Sequence, residues 1–405
     1  MEQKKFNIWW GPPKKFSTQL EERKISWLEL FYDLVYVIVI SRITHHMAVH
    51  PDVHGISQYI YLFTMVFWGW QNGSQYHDLH GSPGIRTRFM TLWQMIIVAA
   101  LGVAMESPPE TFVSRTIICF ALLQFFITYL WWSVGIYDKV HRRLSVPYVS
   151  CYFLCFLMFV AALYIPSPYT ERFLWLILII NHLPPLLNYR RLRSRNSEFS
   201  LSMSMVERLG LFTIIVFGEN ILGVINGVDS YVHLNASIWF CFALGILIVF
   251  ALWWIFFALI ADRECKHGFL AGQSLVFLYI PCLGSLGIVG ATFSVLLSGM
   301  LNPDADWYRA RVMFVVSLAV FLWSVLGISN KLIYDDEYLK AKKIIQPLLG
   351  LTGIVIVLLS LFFNFLSVMN LLIIIFLVLM TIIIVITRSW FKVELQHMSE
   401  DRNDK

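Results

Sequence analysis

Residues 27 to 47 read WLELFYDLVYVIVISRITHHM, a stretch with the length and apolarity of a membrane span that nevertheless contains ionisable side chains. A second stretch of this kind, VERLGLFTIIVFGENILGVI, occupies residues 206 to 225. A charged side chain near the centre of a bilayer costs roughly 2.5 to 3.5 kcal/mol, so such residues normally face a protein interior or a water-filled path. The two stretches therefore predict helices that line one polar core.

The composition of the whole chain is that of an integral membrane protein. Of its 405 residues, 58% are hydrophobic and 14% are charged, whereas a soluble domain has about 25% charged residues. The six cysteines lie mostly in apolar runs, so we expect free, buried thiols. The first 26 residues lack the apolar region and cleavage site of a signal peptide, so the amino terminus is expected to stay in the cytosol.

The apolar runs predict twelve transmembrane helices, most of them long enough to cross about 30 Å of hydrocarbon. The expected spans are residues 28–48, 56–73, 86–105, 112–135, 148–165, 172–188, 204–226, 236–261, 270–297, 310–330, 347–366 and 369–389. Basic residues gather before helix 1 and in the even-numbered loops, which the positive-inside rule assigns to the cytoplasm. Both termini are therefore predicted to be cytoplasmic, and the net charge of +5 is a topology signal that indicates no nucleic-acid partner.

An internal repeat is predicted from three landmarks that recur in the same order in both halves. They are the acidic starts of helices 1 and 7, a tryptophan eight residues before an aspartate (Trp70 and Asp78, Trp254 and Asp262), and the similar motifs WSVGIYDK (132–139) and WSVLGISNK (323–331). Six spans per repeat is an even number, so the halves should have parallel topology. The predicted fold is an all-α, polytopic transmembrane bundle of two six-helix parallel repeats. Its predicted segments are a cytoplasmic segment (1–26), the first repeat (27–190), a basic linker (191–203), the second repeat (204–389) and a cytoplasmic tail (390–405).

Two acidic residues of helix 1 are expected to share a cationic partner. Glu29 and Asp33 are four residues apart and therefore lie on one helix face. Adjacent carboxylates repel each other unless a cation or a shared proton intervenes. Arg208, which opens helix 7 at a comparable depth, is the nearest candidate partner.

A second polar layer is predicted nearer the other end of the same helices. Arg42 lies thirteen residues beyond Glu29, and Glu219 lies twelve residues beyond Glu207, so both should be about 18 to 20 Å along their helices. The matching depth predicts a buried Arg42–Glu219 pair. His45 and Asn220 are nearby in sequence and are expected to add polar lining.

These charges favour a proton or ion path, with a structural alternative. In the functional interpretation Asp33 and Glu219, together with Glu29 and Glu207, carry the proton or cation, and the counter-charges are Arg42 and Arg208. In the alternative, the same charges are ion pairs that hold two helices in register. The histidines have no metal-binding spacing, so neither a metal nor a cofactor is expected.

Small residues in helices 7 and 9 bear on how closely these helices pack. Gly284, Gly287 and Gly290 follow Pro281 at regular spacing. This pattern favours close helix packing over a break in the span. Gly223 would alternatively let helix 7 unwind after Glu219.

The two opening stretches resemble the low temperature requirement A (LtrA) family of bacterial membrane proteins. Glu29 to His45, ELFYDLVYVIVISRITH, is similar to the family pattern ELFFDLVFVFAITQLSH. Ser204 to Glu219, SMVERLGLFTIIVFGE, is similar to HLxERFGLFxIIxLGE. Three positions depart from the family: Ser204 and Tyr279 replace expected histidines, and Arg42 replaces a commoner glutamine. These departures argue against a histidine-based mechanism. The site residues that the resemblance carries over are Glu29, Asp33, Glu207, Arg208 and Glu219. The resemblance also implies a bacterial plasma membrane and a link to growth in the cold.

Taken together, these features predict a transporter or an ion- or proton-conducting protein. The expected partners are membrane lipids and an unidentified small solute, cation or proton, and a homo-oligomer is compatible with the sequence. One alternative is an intramembrane enzyme acting on a lipid or polyprenyl substrate, for which the loop residues Asp78 and Asp262 are the only hints. A second alternative is a non-catalytic envelope scaffold or sensor in which the charges are structural. We favour a non-enzymatic role.

Overall fold

The computed structural model describes residues 13–14, 24–50, 52–81, 84–139, 142–189, 201–229, 231, 233, 235–299, 307–362 and 366–403. Within these ranges the chain forms twelve helices of at least 13 residues and no strand. The helices are α1 (Trp27–Val49), α2 (Val53–His80), α3 (Ile85–Ala104), α4 (Pro109–Tyr137), α5 (Arg142–Ala162), α6 (Tyr169–Asn181), α7 (Met203–Asp229), α8 (Ala236–Ile260), α9 (Phe269–Ser298), α10 (Trp307–Ser329), α11 (Asp336–Phe362) and α12 (Val368–Asn403). The prediction of an all-α chain with twelve helices is confirmed.

Among the described residues, nine of these helices are long and apolar enough to cross a membrane: α3, α4, α5 and α7 to α12. The other three differ for identifiable reasons. Helices α1 and α2 are long enough but contain more polar residues. Helix α1 has three charged side chains, Glu29, Asp33 and Arg42. Helix α6 has only 13 residues. The chain is thus a membrane protein with several apolar helices, as its composition predicts.

The span predicted at 172–188 is shorter than expected. Helix α6 ends at Asn181, and a separate helical turn occupies Pro184–Leu187. Proline cannot donate the backbone hydrogen bond that a continuing helix requires, but it fits the first position of a new turn. Asn188 then anchors this turn, because its Nδ2 donates to the carbonyl oxygen of Leu144 at 2.8 Å.

The predicted terminal and linker segments are only partly described. Residues 190–200, which hold most of the predicted basic linker, and most of the first 26 residues lie outside the described ranges. At the other end, α12 continues to Asn403 and so runs through most of the segment predicted as a tail from residue 390.

The chain divides into two compact units. The first unit contains residues 1–46, 57–208 and 267–273, and the second contains residues 47–56, 209–266 and 274–405. The division passes through α1, α2, α7 and α9. The charged beginnings of α1 and α7 therefore belong together in the first unit.

Polar side chains join the helices of the first unit in its interior. Asn72 on α2 accepts hydrogen bonds from Trp131 Nε1 on α4 at 3.3 Å and from the Tyr152 hydroxyl on α5 at 2.8 Å. Gln124 on α4 donates to Asn181 Oδ1 on α6 at 3.0 Å. All five side chains are buried or nearly so. Such interhelical hydrogen bonds help to fix which helix faces meet in an apolar environment.

The second unit contains a close backbone approach between α7 and α9. A Cβ atom at position 223 would overlap the carbonyl oxygen of Gly290, so only glycine fits there. Helix α7 runs unbroken through Gly223, and α9 runs unbroken through Pro281. The small-residue pattern thus serves close packing, and neither helix unwinds.

Two loops of the second unit are joined through their backbones. The loop after α8 and the loop after α10 share two hydrogen bonds, from Lys266 N to Lys331 O at 2.8 Å and from Ile333 N to Glu264 O at 2.9 Å. Beside them the Arg263 guanidinium lies 4.1 Å from the centre of the Tyr334 ring. Burial raises the pKa of the Tyr334 hydroxyl to about 12. The phenol is therefore neutral at ordinary pH and serves as an aromatic face for the cation.

Candidate functional site

The site begins at the amino-terminal end of α1, where the local sequence forms a capping box. Ser26 precedes the helix and Glu29 follows three residues later, the spacing that such a box requires. The backbone N–H and the Oγ hydroxyl of Ser26 donate to Glu29 Oε2 at 2.9 and 2.8 Å. One oxygen of this carboxylate is thus held in place by the start of its own helix.

Arg208 on α7 contacts both acidic residues of α1. Its Nη2 and Nε atoms donate to Asp33 Oδ1 at 2.5 Å and to Asp33 Oδ2 at 3.3 Å. Its Nη1 lies 3.5 Å from Glu29 Oε1. The structure therefore brings together the two carboxylates and the guanidinium, as was predicted from their matching depth along the two helices. The two hydrogen bonds to Asp33 form the bidentate geometry that arginine and carboxylate groups favour.

Two aromatic residues complete the surroundings of this cluster. Trp70 on α2 donates from Nε1 to Asp33 Oδ1 at 2.7 Å. The Arg208 guanidinium carbon lies 5.8 Å from the centre of the Trp70 ring and 6.0 Å from that of Tyr32. Trp70 was predicted as a repeat landmark and not as a partner of the acidic residues, because tryptophan in membrane helices is usually an interfacial residue. The sequence did contain one indication of its role: Trp70 lies within an apolar helix that directly follows the helix with the two acidic residues.

Two separate sets of hydrogen-bonding side chains lie near Tyr32. The Tyr32 hydroxyl lies 3.0 Å from the Tyr36 hydroxyl and 3.1 Å from Gln94 Oε1. Further along α2, His77 Nε2 lies 2.5 Å from Thr91 Oγ1, which itself donates to the Thr87 carbonyl. Because the threonine hydrogen is already used, His77 Nε2 must be the donor in that contact.

The electrostatics of the cluster follow from its composition and burial. The side chains of Glu29, Asp33 and Arg208 are 1%, 0% and 1% exposed. Three ionisable side chains are therefore in contact and almost completely buried. Ionisable groups buried among apolar helices are candidates for binding a proton or a small cation.

The other predicted site residues lie elsewhere. Glu207 is exposed, although it is next to the buried Arg208. Glu219 is half-buried and Asn220 is buried, and both belong to the second unit. Asn220 Nδ2 donates to the Val216 carbonyl at 3.0 Å, while its Oδ1 has no hydrogen-bond partner among the described residues.

The prediction that Arg42 forms a buried pair with Glu219 is wrong, because Arg42 is exposed. The Arg42 side chain is 51% exposed and forms an ion pair with Glu106, just beyond the end of α3, whose side chain is 59% exposed. His45 is also exposed, so it does not line an interior surface. The cause is rotational: Arg42 is nine residues from Asp33, which places it about 180° around α1.

The loop aspartates and the thiols supply no further site. Asp78, which was predicted in a loop, lies in the last turn of α2 and accepts a hydrogen bond from Ser202 Oγ at 2.6 Å. Asp262, two residues after the end of α8, has a left-handed backbone with a φ of 55°. All six cysteines are free, and five are buried. Across the described ranges, no three His, Cys, Asp or Glu side chains form a group that could hold a metal ion.

Comparison with known proteins identifies the family of the chain. A family model described as bacterial low temperature requirement A protein (LtrA) matches residues 24–387, which include the whole of the carboxylate–guanidinium cluster. No curated protein and no solved structure matches the chain. Because the family match covers nearly the whole sequence, the chain belongs to the bacterial low temperature requirement A (LtrA) family.

Proposed function

We propose that the protein is a transporter or an ion- or proton-conducting protein, and that Glu29, Asp33 and Arg208 form its ion-binding centre. The observation that carries the proposal is the complete burial of two carboxylates around one guanidinium. Ionisable side chains buried among apolar helices are candidates for binding a proton or a cation. We therefore assign the ligand to these two carboxylates.

The three side chains have separate roles in this proposal. Arg208 makes two hydrogen bonds to Asp33 but only a 3.5 Å contact with Glu29. The contact with Glu29 is the weaker one, so protonating Glu29 loses less interaction energy with Arg208 than protonating Asp33 does. Asp33 then keeps Arg208 and Trp70 as its partners. The binding event thereby shifts the position of a charged side chain on α7 relative to α1.

Glu219 and Asn220 are proposed as a second polar position on α7. Glu219 is eleven residues beyond Arg208, close to three full helical turns, so the two side chains leave the helix in similar directions. Glu219 is half-buried in an otherwise apolar helix. The Oδ1 atom of Asn220 lacks a hydrogen-bond partner among the residues described, which makes it available to a cation or to water.

The test is ion flux into liposomes that contain the purified protein. A dye inside the liposomes reports pH or alkali-cation concentration after a gradient is imposed. Glu29→Gln, Asp33→Asn and Glu219→Gln should each strongly reduce the flux, and Glu29→Gln should also flatten its pH dependence. The matched control is Asp229→Asn, which removes an exposed acid from the same helix α7 and should leave the flux unchanged.

The same measurement separates this proposal from a scaffold or sensor with structural charges. In a scaffold, Glu29→Gln and Asp33→Asn lower the unfolding temperature but change no flux, because there is none to change. Wild-type liposomes that conduct neither protons nor alkali cations would contradict the proposal. Equal flux in the wild type and in a Glu29→Gln, Asp33→Asn double variant would do the same.

We also propose the finer architecture expected from the sequence. Two supports favour two six-helix parallel repeats. They are the ordered landmarks and the assignment of residues 57–208 to one compact unit and of most of the residues after 208 to the other. The alternation of basic loops supports cytoplasmic termini in a bacterial plasma membrane. Cysteine labelling of Lys24 and Asp229 variants from either side of the membrane tests the orientation, since these positions are predicted to lie on opposite sides.

A further inference from the structure

Two positively charged side chains of the second unit contact the same aromatic ring. The Arg263 guanidinium, in the loop after α8, lies 4.1 Å from the centre of the Tyr334 ring. The Lys342 ammonium, on α11, lies 4.0 Å from the same centre. Tyr334 is buried, and its hydroxyl donates to the Leu259 carbonyl at 2.7 Å. The ring is thus fixed in place, and two like charges lie close together beside it.

The Arg263 guanidinium contacts aromatic rings but no hydrogen-bond acceptor. Its central carbon also lies 5.4 Å from the centre of the Tyr338 ring and 5.4 Å from that of the Trp390 ring. Its Nε atom is buried and has no hydrogen-bond partner. Nη1 and Nη2 also lack a partner among the described residues, but they are not fully buried. A guanidinium has five N–H donors, so the donors on Nη1 and Nη2 are both unpaired and accessible.

The two cations have no negative partner among the described residues. Neither Arg263 nor Lys342 forms an ion pair with a carboxylate in this part of the chain. Glu264 and Asp335, which belong to the same two loops, are exposed. The charged groups that act on the Lys342 ammonium are those of Lys266 and Arg263, and both are positive. Three positive charges therefore lie near one another without a counter-charge.

The backbone around these cations is already ordered. The loops after α8 and α10 are joined by the two backbone hydrogen bonds described above. Lys342 Nζ donates to the carbonyl oxygen of Ser329, the last residue of α10, at 2.7 Å. An ammonium has three N–H donors, so this bond positions the group and leaves donors for a ligand. Both cations are thus held by the protein with donors to spare.

We propose that Arg263 and Lys342, assisted by the charge of Lys266, bind a phosphate group, carried either by the headgroup of an anionic lipid or by free inorganic phosphate. Paired guanidinium donors match two phosphate oxygens, and an ammonium adds a compact charge. A phosphate supplies both the acceptors and the negative charge that the cluster lacks. Basic groups at the ends of membrane helices attract anionic lipids. This site goes beyond the ion-binding centre proposed above and does not depend on it.

The first test is binding of inorganic phosphate to the full-length protein in dodecyl maltoside, a detergent without phosphate, after bound lipid has been removed. Calorimetry at constant ionic strength, with chloride as the other anion, gives the Kd. Arg263→Gln should weaken binding at least about tenfold and Lys342→Gln about threefold or more, as expected for charge-assisted hydrogen bonds. The matched control is Lys343→Gln, which removes an exposed lysine from the next position of α11 and should leave the Kd unchanged.

The same variants separate binding from a purely structural role of Arg263. Bound phosphate should raise the unfolding temperature of the wild type and of Lys343→Gln, but not that of Arg263→Gln. If Arg263 only clamps the loops against aromatic rings, phosphate changes no unfolding temperature, and the proposal is overturned. If Arg263→Gln does not fold, Lys342→Gln still decides, because it leaves the ring contacts of Arg263 in place. Phosphate binding that neither variant weakens also overturns the proposal.

Native mass spectrometry separates the two sources of the phosphate group. The protein is offered equal amounts of phosphatidylglycerol, which is anionic, and phosphatidylcholine, whose phosphate is neutralised by its own choline. If the ligand is a headgroup, the wild type and Lys343→Gln retain phosphatidylglycerol preferentially, and Arg263→Gln and Lys342→Gln lose this preference. If the ligand is free phosphate, all four proteins retain the same lipids.

Inorganic phosphate carries the group that both sources share, so it should bind in either case. Its failure to bind to the wild type overturns the proposal for both. No ion gradient is present in these measurements, so a failure of the transport proposal leaves their result unaffected.

Discussion

Helix α1 carries an ion pair near each end, and the two pairs differ in their surroundings. Near its beginning, Asp33 and Glu29 meet Arg208 with side chains that are at most 1% exposed. Near its end, Arg42 meets Glu106 with side chains that are 51% and 59% exposed. Carboxylate and guanidinium groups therefore meet once in a buried position and once in an exposed one.

The difference teaches that burial decides what such a pair contributes. An exposed pair is screened by water, must order two long side chains and contributes about 0.2 to 1 kcal/mol. A buried pair has already lost its hydration, so removing one partner leaves a charge that nothing compensates. Substitutions at the two ends of α1 should accordingly have effects of very different size.

The largest effect is expected for Arg208→Met. Loss of the guanidinium leaves two buried carboxylates facing each other, which should lower the free energy of unfolding by about 3 to 5 kcal/mol. Detergent-solubilised protein unfolded by SDS or by heat provides the measurement. Combining Arg208→Met with Glu29→Gln and Asp33→Asn should recover much of the loss. A single variant as stable as the wild type would show that the cluster is not buried in solution.

A smaller effect is expected for Gly73→Ala, which probes the packing behind the cluster. A Cβ at position 73 would overlap the Tyr32 hydroxyl and approach Gln94 Oε1 at 2.8 Å. Displacing these groups should cost about 1 to 3 kcal/mol. Gly210→Ala on α7 is the control, because a Cβ there meets no described atom within 4 Å. The control should be neutral or slightly stabilising, since alanine favours helix.

Trp70→Phe tests the contribution of a single donor to the buried carboxylate. The substitution removes the 2.7 Å hydrogen bond to Asp33 and weakens the aromatic contact with Arg208. A loss of about 1.5 to 3 kcal/mol is expected, as for other hydrogen bonds to charged groups. Trp254→Phe, at the corresponding repeat landmark, changes a side chain that is 38% exposed and should cost less than about 0.5 kcal/mol. Equal losses in both variants would contradict the assignment.

Arg42→Gln should have the smallest effect of the series. The exposed pair with Glu106 is expected to contribute less than about 1 kcal/mol. Glu106→Gln and the double variant should give the same small value, and added salt should reduce it further. A loss comparable with that of Arg208→Met would mean that a partner or lipid covers this end of α1 in the membrane.

Much of the fold could be predicted because it depends on local properties of the chain. The lengths of the apolar runs predicted twelve helices, and prolines explain the one span that proved shorter, at Pro184. The pairing of Arg208 with Glu29 and Asp33 was also predictable, since one helix face and one matching depth were enough. Whether the two units are sequence repeats stays a prediction.

The second predicted pair was wrong because depth along a helix does not determine direction around it. Arg42 and Glu219 were matched by counting residues, but Arg42 projects from α1 about 180° from Asp33. Glu106 follows a helix that was predicted, yet nothing in its spacing indicated α1 as a neighbour. The contacts of Trp70 and Tyr32 with the buried charges were not predicted either, because they depend on how the helices pack.

The contact between Gly223 and Gly290 has a consequence for sequence variation. Any side chain at position 223 would enter the space of a carbonyl oxygen on α9, and a backbone atom cannot move aside as a flexible side chain can. A homologue in which α7 and α9 cross at this point can therefore carry only glycine there. A homologue with a larger residue at this position must have α7 and α9 further apart. The residue at position 223 therefore indicates how closely these two helices pack.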